Sequence, residues 1–350
     1  MGQSSISIGV VGATGVVGLE FLNLLEERMY SIKELRLFAG QKSEGKEILF
    51  RGKNIPVKIL EKGCFTNLDV VFFSAGNNIS QEWAPQAVKE GAFAIDNSSA
   101  FRMHKEIPLV VPEVNSHLLP PATQPSLIAN PNCSTIQLVV ALAPLKKLGI
   151  KAVRVASYQS VSGAGRDGVD ELWNQTKEVL LKTDQPTANI KTEQIGKIFP
   201  HSIAFNNIPQ IGSIGQDGFC EEEIKIMKET QKILEMENLA ISAFTVRTPT
   251  LNCHSEAVWV TLDKNVDHSD FVKCLRPAGG IEIIDDPSSN KYPLNREASG
   301  KDLVYVGRIR KDPTDPKTWL LWIVSDNLRK GAALNGLQIA QQIFDLQRGS

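Results

Sequence analysis

Long hydrophobic runs are what this sequence most plainly lacks: no stretch approaches the roughly 20 apolar residues that cross a bilayer. A strong charge of either sign is missing too. The 350 residues carry 38 Lys and Arg against 39 Asp and Glu, for a net charge of −1 at pH 7. That balance gives no electrostatic case for nucleic acid or an anionic membrane surface as partner. The N-terminus has no basic-plus-apolar leader pattern, and Met1 leads almost directly into an apolar run at Ile6–Val11. Cysteine is scarce. The five, at 64, 133, 220, 253 and 274, are odd in number and scattered without a CxxC pair. They argue against a disulfide framework and a zinc site, so no metal is expected, and they argue for a reducing cytoplasm. Repeats and low-complexity segments are also absent. What remains is a globular composition, 42% hydrophobic and 22% charged, in a chain long enough for two domains.

The first 130 residues alternate strand and helix patterns. Strands are expected at Ile6–Val11, Glu34–Ala39, Leu68–Ser74 and Gly91–Asp96, and helices at Val16–Arg28 and Ser80–Glu90. Such alternation predicts a parallel sheet with helices on both faces, an α/β Rossmann-like domain. After about residue 150 the pattern changes. Lys151–Gln159, Ala240–Arg247, Ser255–Leu262, Leu303–Ile309 and Trp319–Ser325 read as longer strands of a mostly antiparallel sheet in an α+β domain. Cys220–Glu237 has helical spacing, and Gly331–Leu346 reads as an amphipathic helix. The expected domains are 1–132 with the C-terminal segment 331–350, and 133–330.

Gly12-Ala13-Thr14-Gly15-Val16-Val17-Gly18 follows the first strand and opens the first helix. Gly12 permits a tight turn, Gly15 a close approach of backbone to pyrophosphate, and Gly18 close helix–strand packing. The phosphates then meet the N–H groups at the helix start. The second strand ends Phe38-Ala39-Gly40-Gln41-Lys42-Ser43, without the acidic residue that takes the ribose hydroxyls of NAD. A lysine beside a serine suits a 2′-phosphate, so NADP is the expected cofactor.

Asn130-Pro131-Asn132-Cys133-Ser134-Thr135 places a cysteine where a thiolate nucleophile would form. Pro131 stiffens the approach, Asn132 is a natural N-cap, and an apolar helical run follows from Thr135. A thiol at a helix N-terminus meets unpaired N–H groups and the positive end of the helix dipole. Of five histidines, only His254 sits in a promising setting, within 247–256, read as a loop between two strands. Glu222 and Lys225, three apart, fall on one face of a helix. Arg102 ends the polar run Asp96-Asn97-Ser98-Ser99-Ala100-Phe101-Arg102 and is suited to bidentate binding of phosphate or carboxylate.

Taken together, these segments resemble the aspartate-β-semialdehyde dehydrogenase family, bacterial type, along nearly the whole chain. The resemblance rests on eight blocks in the right order: 12–18, 96–102, Val-Pro-Glu-Val-Asn at 111–115, 130–135, Gln-Ser-Val-Ser-Gly-Ala-Gly at 159–165, Glu-Glu-Ile-Lys at 222–225, 247–256 and Ser-Asp-Asn-Leu-Arg-Lys-Gly-Ala-Ala at 325–333. It implies Cys133 as nucleophile, His254 as acid/base, and Gln159 as the group that orients the chemistry. Arg247 would bind the substrate α-carboxylate and Glu222 its α-amino group. Arg102, Lys225 and Asn132 would hold the phosphate. Gly12, Thr14, Gly15, Val16, Val17, Lys42, Ser43, Ser162, Gly163 and Asn327 would contact NADP. Two departures stand out. Lys42 replaces a frequent arginine, keeping the charge but losing the guanidinium fork. Cys253 replaces a frequent glycine before the histidine.

The implied reaction is NADPH-dependent reductive dephosphorylation of L-4-aspartyl phosphate to L-aspartate 4-semialdehyde, feeding lysine, threonine and methionine synthesis. A homodimer through the second domain is implied with it. Another acyl-phosphate reductase, of the N-acetylglutamyl-phosphate or glyceraldehyde-3-phosphate type, shares the plan. The Glu222 and Arg247 pair instead matches a free amino-acid end. A non-enzymatic NADP sensor would have no use for Cys133, Gln159, His254 and Arg247 together.

Overall fold

The computed structural model describes residues 5–182 and 196–346; the last four residues of segment 331–350 lie outside the described residues. The chain divides into two compact units, Met1–Val140 with Lys228–Glu237 and Leu328–Ser350, and Ala141–Met227 with Asn238–Asn327.

In the first unit the strands are β1 (Ile6–Val11), β2 (Ile32–Phe38), β3 (Glu47–Phe50), β4 (Lys53–Lys58), β5 (Val70–Phe73), β6 (Phe93–Asp96) and β7 (Leu127–Ala129). They form one sheet in the order β3-β4-β2-β1-β5-β6-β7, parallel throughout except for the β3–β4 hairpin. The helices are α1 (Val16–Glu27), α2 (Asn77–Lys89), the short α3 (Pro112–Asn115) and the start of α4 (Cys133–Leu142). Alternation along the strands sorts side chains to two faces. Ile6, Ile8 and Val10 of β1 and Val70 and Phe72 of β5 join one core, with Phe21, Leu24 and Leu25 of α1. Val11, Val71 and Phe73 join the other, with Ala84 and Ala87 of α2. Phe21 stacks on Phe72 with ring centroids 4.3 Å apart. Each such fully buried ring contributes about 1.5–3 kcal/mol.

The β3–β4 hairpin is absent from the sequence expectation. Its two turn residues, Arg51 and Gly52, have φ of 48° and 75°, and Pro56 with three lysines masks the strand pattern around it. The C-terminal segment also differs from the single α-helix expected. Arg329–Ala333 is π-helical, and only Leu334–Phe344 (hereafter α9) is α-helical. Lys330 explains the distortion. Its ammonium is fully buried and donates to both carboxylate oxygens of Glu113 (2.9 and 2.8 Å), to Asn335 and to Gln338. A widened turn in a helix is how a chain turns such a side chain inward.

The second unit holds a six-stranded mixed sheet, β11-β12-β13-β10-β8-β9. Its strands are β8 (Ile150–Gln159), β9 (Ala240–Arg247), β10 (His254–Leu262), β11 (Ile281–Ile283), β12 (Val304–Lys311) and β13 (Thr318–Ser325). The centre is antiparallel (β12–β13, β13–β10, β10–β8), whereas both edge pairs, β8–β9 and β11–β12, are parallel. Its helices are α5 (Gly165–Lys182), α7 (His268–Leu275) and the short α8 (Asn295–Ala298), and the residues of α6 (Glu221–Ile233) are shared between the two units. The sequence pattern misses α5 because a polar residue occupies a core position. Gln175 is buried and its Oε1 accepts from Ser202 Oγ and the Ile203 and Ala204 N–H groups. The strand expected at Ser255 begins at His254, which pairs with Ser325. His254 is therefore fixed by a sheet ladder rather than carried on a loop.

Candidate active site

Cys133 is the first residue of α4 and is half-buried. Asn132 caps this helix as the sequence predicts: its Oδ1 accepts from the Ser134 N–H (2.9 Å) and the Thr135 N–H (3.2 Å). The capped turn fixes the backbone on both sides of the thiol. In the same unit, a Cβ added to Gly331 would lie 2.9 Å from the Cβ of Cys133, so the π-helical stretch packs directly on Cys133.

Arg102 is buried, and three of its donors are committed. Nε donates to Asn130 O (3.0 Å), Nη2 to Asn97 O (2.8 Å) and Nη1 to Glu229 (3.0 Å). The polar run before it is held by Asp96, whose carboxylate accepts from Ser80 Oγ, Ser98 N–H and Ser98 Oγ. A serine-rich segment of this sort becomes rigid only because one fully buried carboxylate collects its donors.

At the end of β1, Gly12 has φ of 84°, and a Cβ there would strike the Ser74 carbonyl; a Cβ on Gly18 would strike the Gly12 carbonyl. Gly15 precedes α1, and no side chain caps that helix start. Its N–H groups are thus without the side-chain acceptors that most helices recruit, which suits a phosphate ligand. Thr14 Oγ1 lies 3.4 Å from Ser43 Oγ, joining the glycine turn to the loop after β2. Lys42 beside it is exposed. Val16 and Val17 form the first turn of α1. These residues fit a dinucleotide.

The second unit gathers Gln159, Ser162, Gly163, Arg247, His254 and Asn327. Gln159 ends β8 and Arg247 ends β9, directly opposite one another in register. His254 Nδ1 accepts from the Ser160 N–H (3.1 Å), which puts the proton of the neutral ring on Nε2. That Nε2 is buried and has no hydrogen-bond partner among the described residues. Burial, reinforced by the nearby Arg247 charge, pushes the His254 pKa down to about 3. The ring is neutral at physiological pH. Arg247 donates from Nη1 to Ser160 O (2.6 Å), and its guanidinium lies over the Phe199 ring. Gly163 makes room for both. A Cβ there would stand 3.0 Å from Arg247 Nη1 and 3.3 Å from His254 Nε2.

Asn327 ties this cluster together. Its Oδ1 accepts from the Cys253 N–H (2.9 Å), Ser160 Oγ (3.1 Å) and Ser162 Oγ (3.2 Å). Two residues the sequence assigns to the cofactor are therefore bonded to the histidine's own support. Cys253 is fully buried at φ of 68°. Its burial, with the Asp326 charge nearby, holds the thiol well above the usual range. At the start of α6, Glu222 is buried and its Oε2 lies 3.5 Å from Lys225 Nζ. The neighbouring Glu223 closes a capping box, accepting from the Cys220 N–H while also accepting from the Thr245 N–H of β9.

Sequence reasoning misses Ser160, Glu229 and Lys330. Ser160 reaches His254 Nδ1 through its main-chain N–H, which no side-chain pattern reveals, and its Oγ lies 3.2 Å from the same nitrogen. Glu229 follows Lys225 by four residues, so helical spacing was available as a signal. Lys330 lies inside a block that was noticed but given no role.

Comparison with known proteins agrees with this reading. The family model described as "Semialdehyde dehydrogenase, NAD binding domain" matches residues 7–120, and "Semialdehyde dehydrogenase, dimerisation domain" matches residues 142–330. Such a chain is an oxidoreductase with a nicotinamide-dinucleotide domain. An aspartate-semialdehyde dehydrogenase of Aquifex aeolicus is 46% identical over 95% of this chain and 96% of its own. The crystal structure of aspartate semialdehyde dehydrogenase II complexed with ASA from Vibrio cholerae superimposes with a TM-score of 0.89, at 40% identity over 98% of this chain and 99% of that one. A Candida albicans aspartate semialdehyde dehydrogenase with NADP gives 0.72, at 25% identity over 98% and 99% of the two chains. The chain belongs to the aspartate-semialdehyde dehydrogenase family.

Proposed function

We propose that this chain makes L-aspartate 4-semialdehyde by reductive dephosphorylation of L-4-aspartyl phosphate, with Cys133 as nucleophile. The observation that carries the reading is the capped N-terminal position of Cys133 on α4. Its thiolate attacks the acyl carbon, the carbon–oxygen bond to phosphate breaks, and a thioester remains on the sulfur. Arg102, with Lys225 and Asn132, takes the phosphate charge. Bound NADPH supplies the hydride that reduces the thioester. His254, expected as the acid/base, presents a neutral Nε2–H, so in this reading its role is revised to stabilising the developing oxyanion by donating a hydrogen bond. When the oxyanion collapses, the carbonyl re-forms and the Cys133 thiolate leaves, so the ring needs no net protonation. Gln159 orients the acyl group, Arg247 holds the α-carboxylate, and Glu222 the α-amino group. A free amine is the natural partner for Glu222, which favours this substrate over an N-acetylated one.

For the cofactor, the reading is NADP rather than NAD, held by residues 12–17, Lys42, Ser43, Ser162, Gly163 and Asn327. That β2 does not end in an Asp or Glu supports it, as does the NADP complex of the Candida relative. Residues 1–132 with 331–350 then serve the nucleotide, and 133–330 catalysis and dimerisation. The reading includes a homodimer and a cytoplasmic location; five cysteines with no disulfide among the described residues suit a reducing compartment. Among the described residues, no helix is long and apolar enough to cross a membrane.

The test is phosphate-dependent reduction of NADP with L-aspartate 4-semialdehyde, run in parallel with NAD. Lys42→Ala is expected to lower kcat/KM for NADP about tenfold, the cost of one charge-assisted contact, and to leave NAD unaffected. Equal losses with both cofactors would remove Lys42 from 2′-phosphate recognition.

A further inference from the structure

Glu229 has no part in the reading above, yet it connects two elements that do. One carboxylate oxygen accepts from Arg102 Nη1 at 3.0 Å and the other from the Asn132 N–H at 2.7 Å. All three residues are buried, with Glu229 only 1% exposed. Nearby, Lys232 Nζ donates to the carbonyls of Arg102, His104 and Ile107, and Glu229 acts electrostatically on that ammonium too. One buried carboxylate therefore stands among two cations and the residue that caps the Cys133 helix. Arg102 carries five N–H groups, of which three are bonded. One N–H on each of Nη1 and Nη2 is left without a partner among the described residues, a fork of the kind that takes two phosphate oxygens.

We propose that Glu229 is a positioning residue that aims Arg102 and offsets its charge, so that phosphate is held by two directed N–H groups and released after transfer. The inference rests on the assignment of Arg102 to phosphate. A buried guanidinium with no counter-charge would bind the released dianion as a full monopole in a low-dielectric setting. The ion pair with Glu229 keeps the orientation and reduces that attraction. The second oxygen of Glu229 anchors the Asn132 main chain, which keeps the arginine in register with the turn bearing Cys133.

The test is calorimetric titration of inorganic phosphate into the enzyme saturated with NADP, with kcat measured beside it. Glu229→Gln is expected to bind phosphate roughly five- to tenfold more tightly, while kcat for semialdehyde formation falls because phosphate leaves slowly. A merely structural role predicts looser phosphate, and unchanged or weaker binding in the folded variant overturns the proposal. If Glu229→Gln is not recovered folded, Glu229→Asp carries the test, since it keeps the charge but is too short to bridge both donors. It is expected to keep phosphate affinity within about twofold of wild type while kcat drops; parallel loss of both overturns the proposal. Arg102→Ala separates the two levels. Unchanged phosphate affinity there removes Arg102 from phosphate binding and this inference with it. Weakened affinity there, without tightening in Glu229→Gln, removes the Glu229 proposal alone.

Discussion

His254 owes its chemical state to where it is buried and to a single backbone donor. The Ser160 N–H fixes the Nε2–H tautomer, and burial with the Arg247 charge holds the pKa near 3. A depressed histidine pKa means that the unfolded chain binds the proton more readily than the folded one. Stability from this group is therefore complete above the unfolded pKa of about 6.5 and is lost as pH falls toward 3. Between pH 7 and 5 the wild type should lose about 1–2 kcal/mol more than His254→Asn, in denaturant titrations at each pH. Equal losses would mean that His254 titrates normally. Next to this ring in sequence, Cys253 is buried, and burial with the Asp326 charge holds its thiol pKa well above the usual range, against a thiolate there. Its positive φ is a conformation that glycine adopts without strain. Side-chain identity marks Cys133 and His254 as candidates in the sequence, because thiol and imidazole each announce a chemistry, whereas Arg247 enters through the resemblance. Ser160 contributes a main-chain N–H and was invisible for that reason.

At the scale of elements, the turn into α4 carries the site in the first unit. Asn132 does two things there: its side chain caps the helix, and its N–H reaches Glu229. Asn132→Ala removes the cap together with the side chain's proposed phosphate contact, keeps the main-chain bond to Glu229, and is expected to cost about 1 kcal/mol of stability. Its kcat is expected to fall further than that stability loss explains, because the turn that orients Cys133 loosens. Denaturant unfolding and steady-state kinetics on the same preparation check both numbers; a stability loss with unchanged kcat would separate the cap from the chemistry. Regular elements were legible where their periodicity was clean, as in β1 and β9, whose bounds match the expected ones. They were hidden where one polar residue sits in a core position. Gln175 hides α5 in this way, and Lys330 hides the π-helical turn before α9. Both are buried polar groups with full sets of partners, a condition that only tertiary structure supplies.

At the scale of the molecule, one face of the second sheet is partly exposed among the described residues. Tyr158, Phe244, Trp259, Leu320 and Trp322 fall on the same side by strand register, with Tyr158 and Phe244 at 40% and 55% exposure in the single chain. A row of aromatics on a half-exposed sheet fits the proposed dimer contact. Phe244→Glu is expected to weaken self-association at least tenfold in sedimentation experiments, about 1.4 kcal/mol or more. An unchanged dimer would move the interface elsewhere. The central claim, covalent transfer through Cys133, has a more direct test. NADP and L-aspartate 4-semialdehyde are mixed with enzyme in the absence of phosphate, NADPH is followed through the first turnover, and the peptide carrying Cys133 is weighed by mass spectrometry. The account predicts a burst of one NADPH per thiol, an aspartyl adduct on Cys133 that phosphate releases, and neither in Cys133→Ala. Sustained NADPH formation with Cys133 unmodified, or a burst that survives in Cys133→Ala, would contradict it.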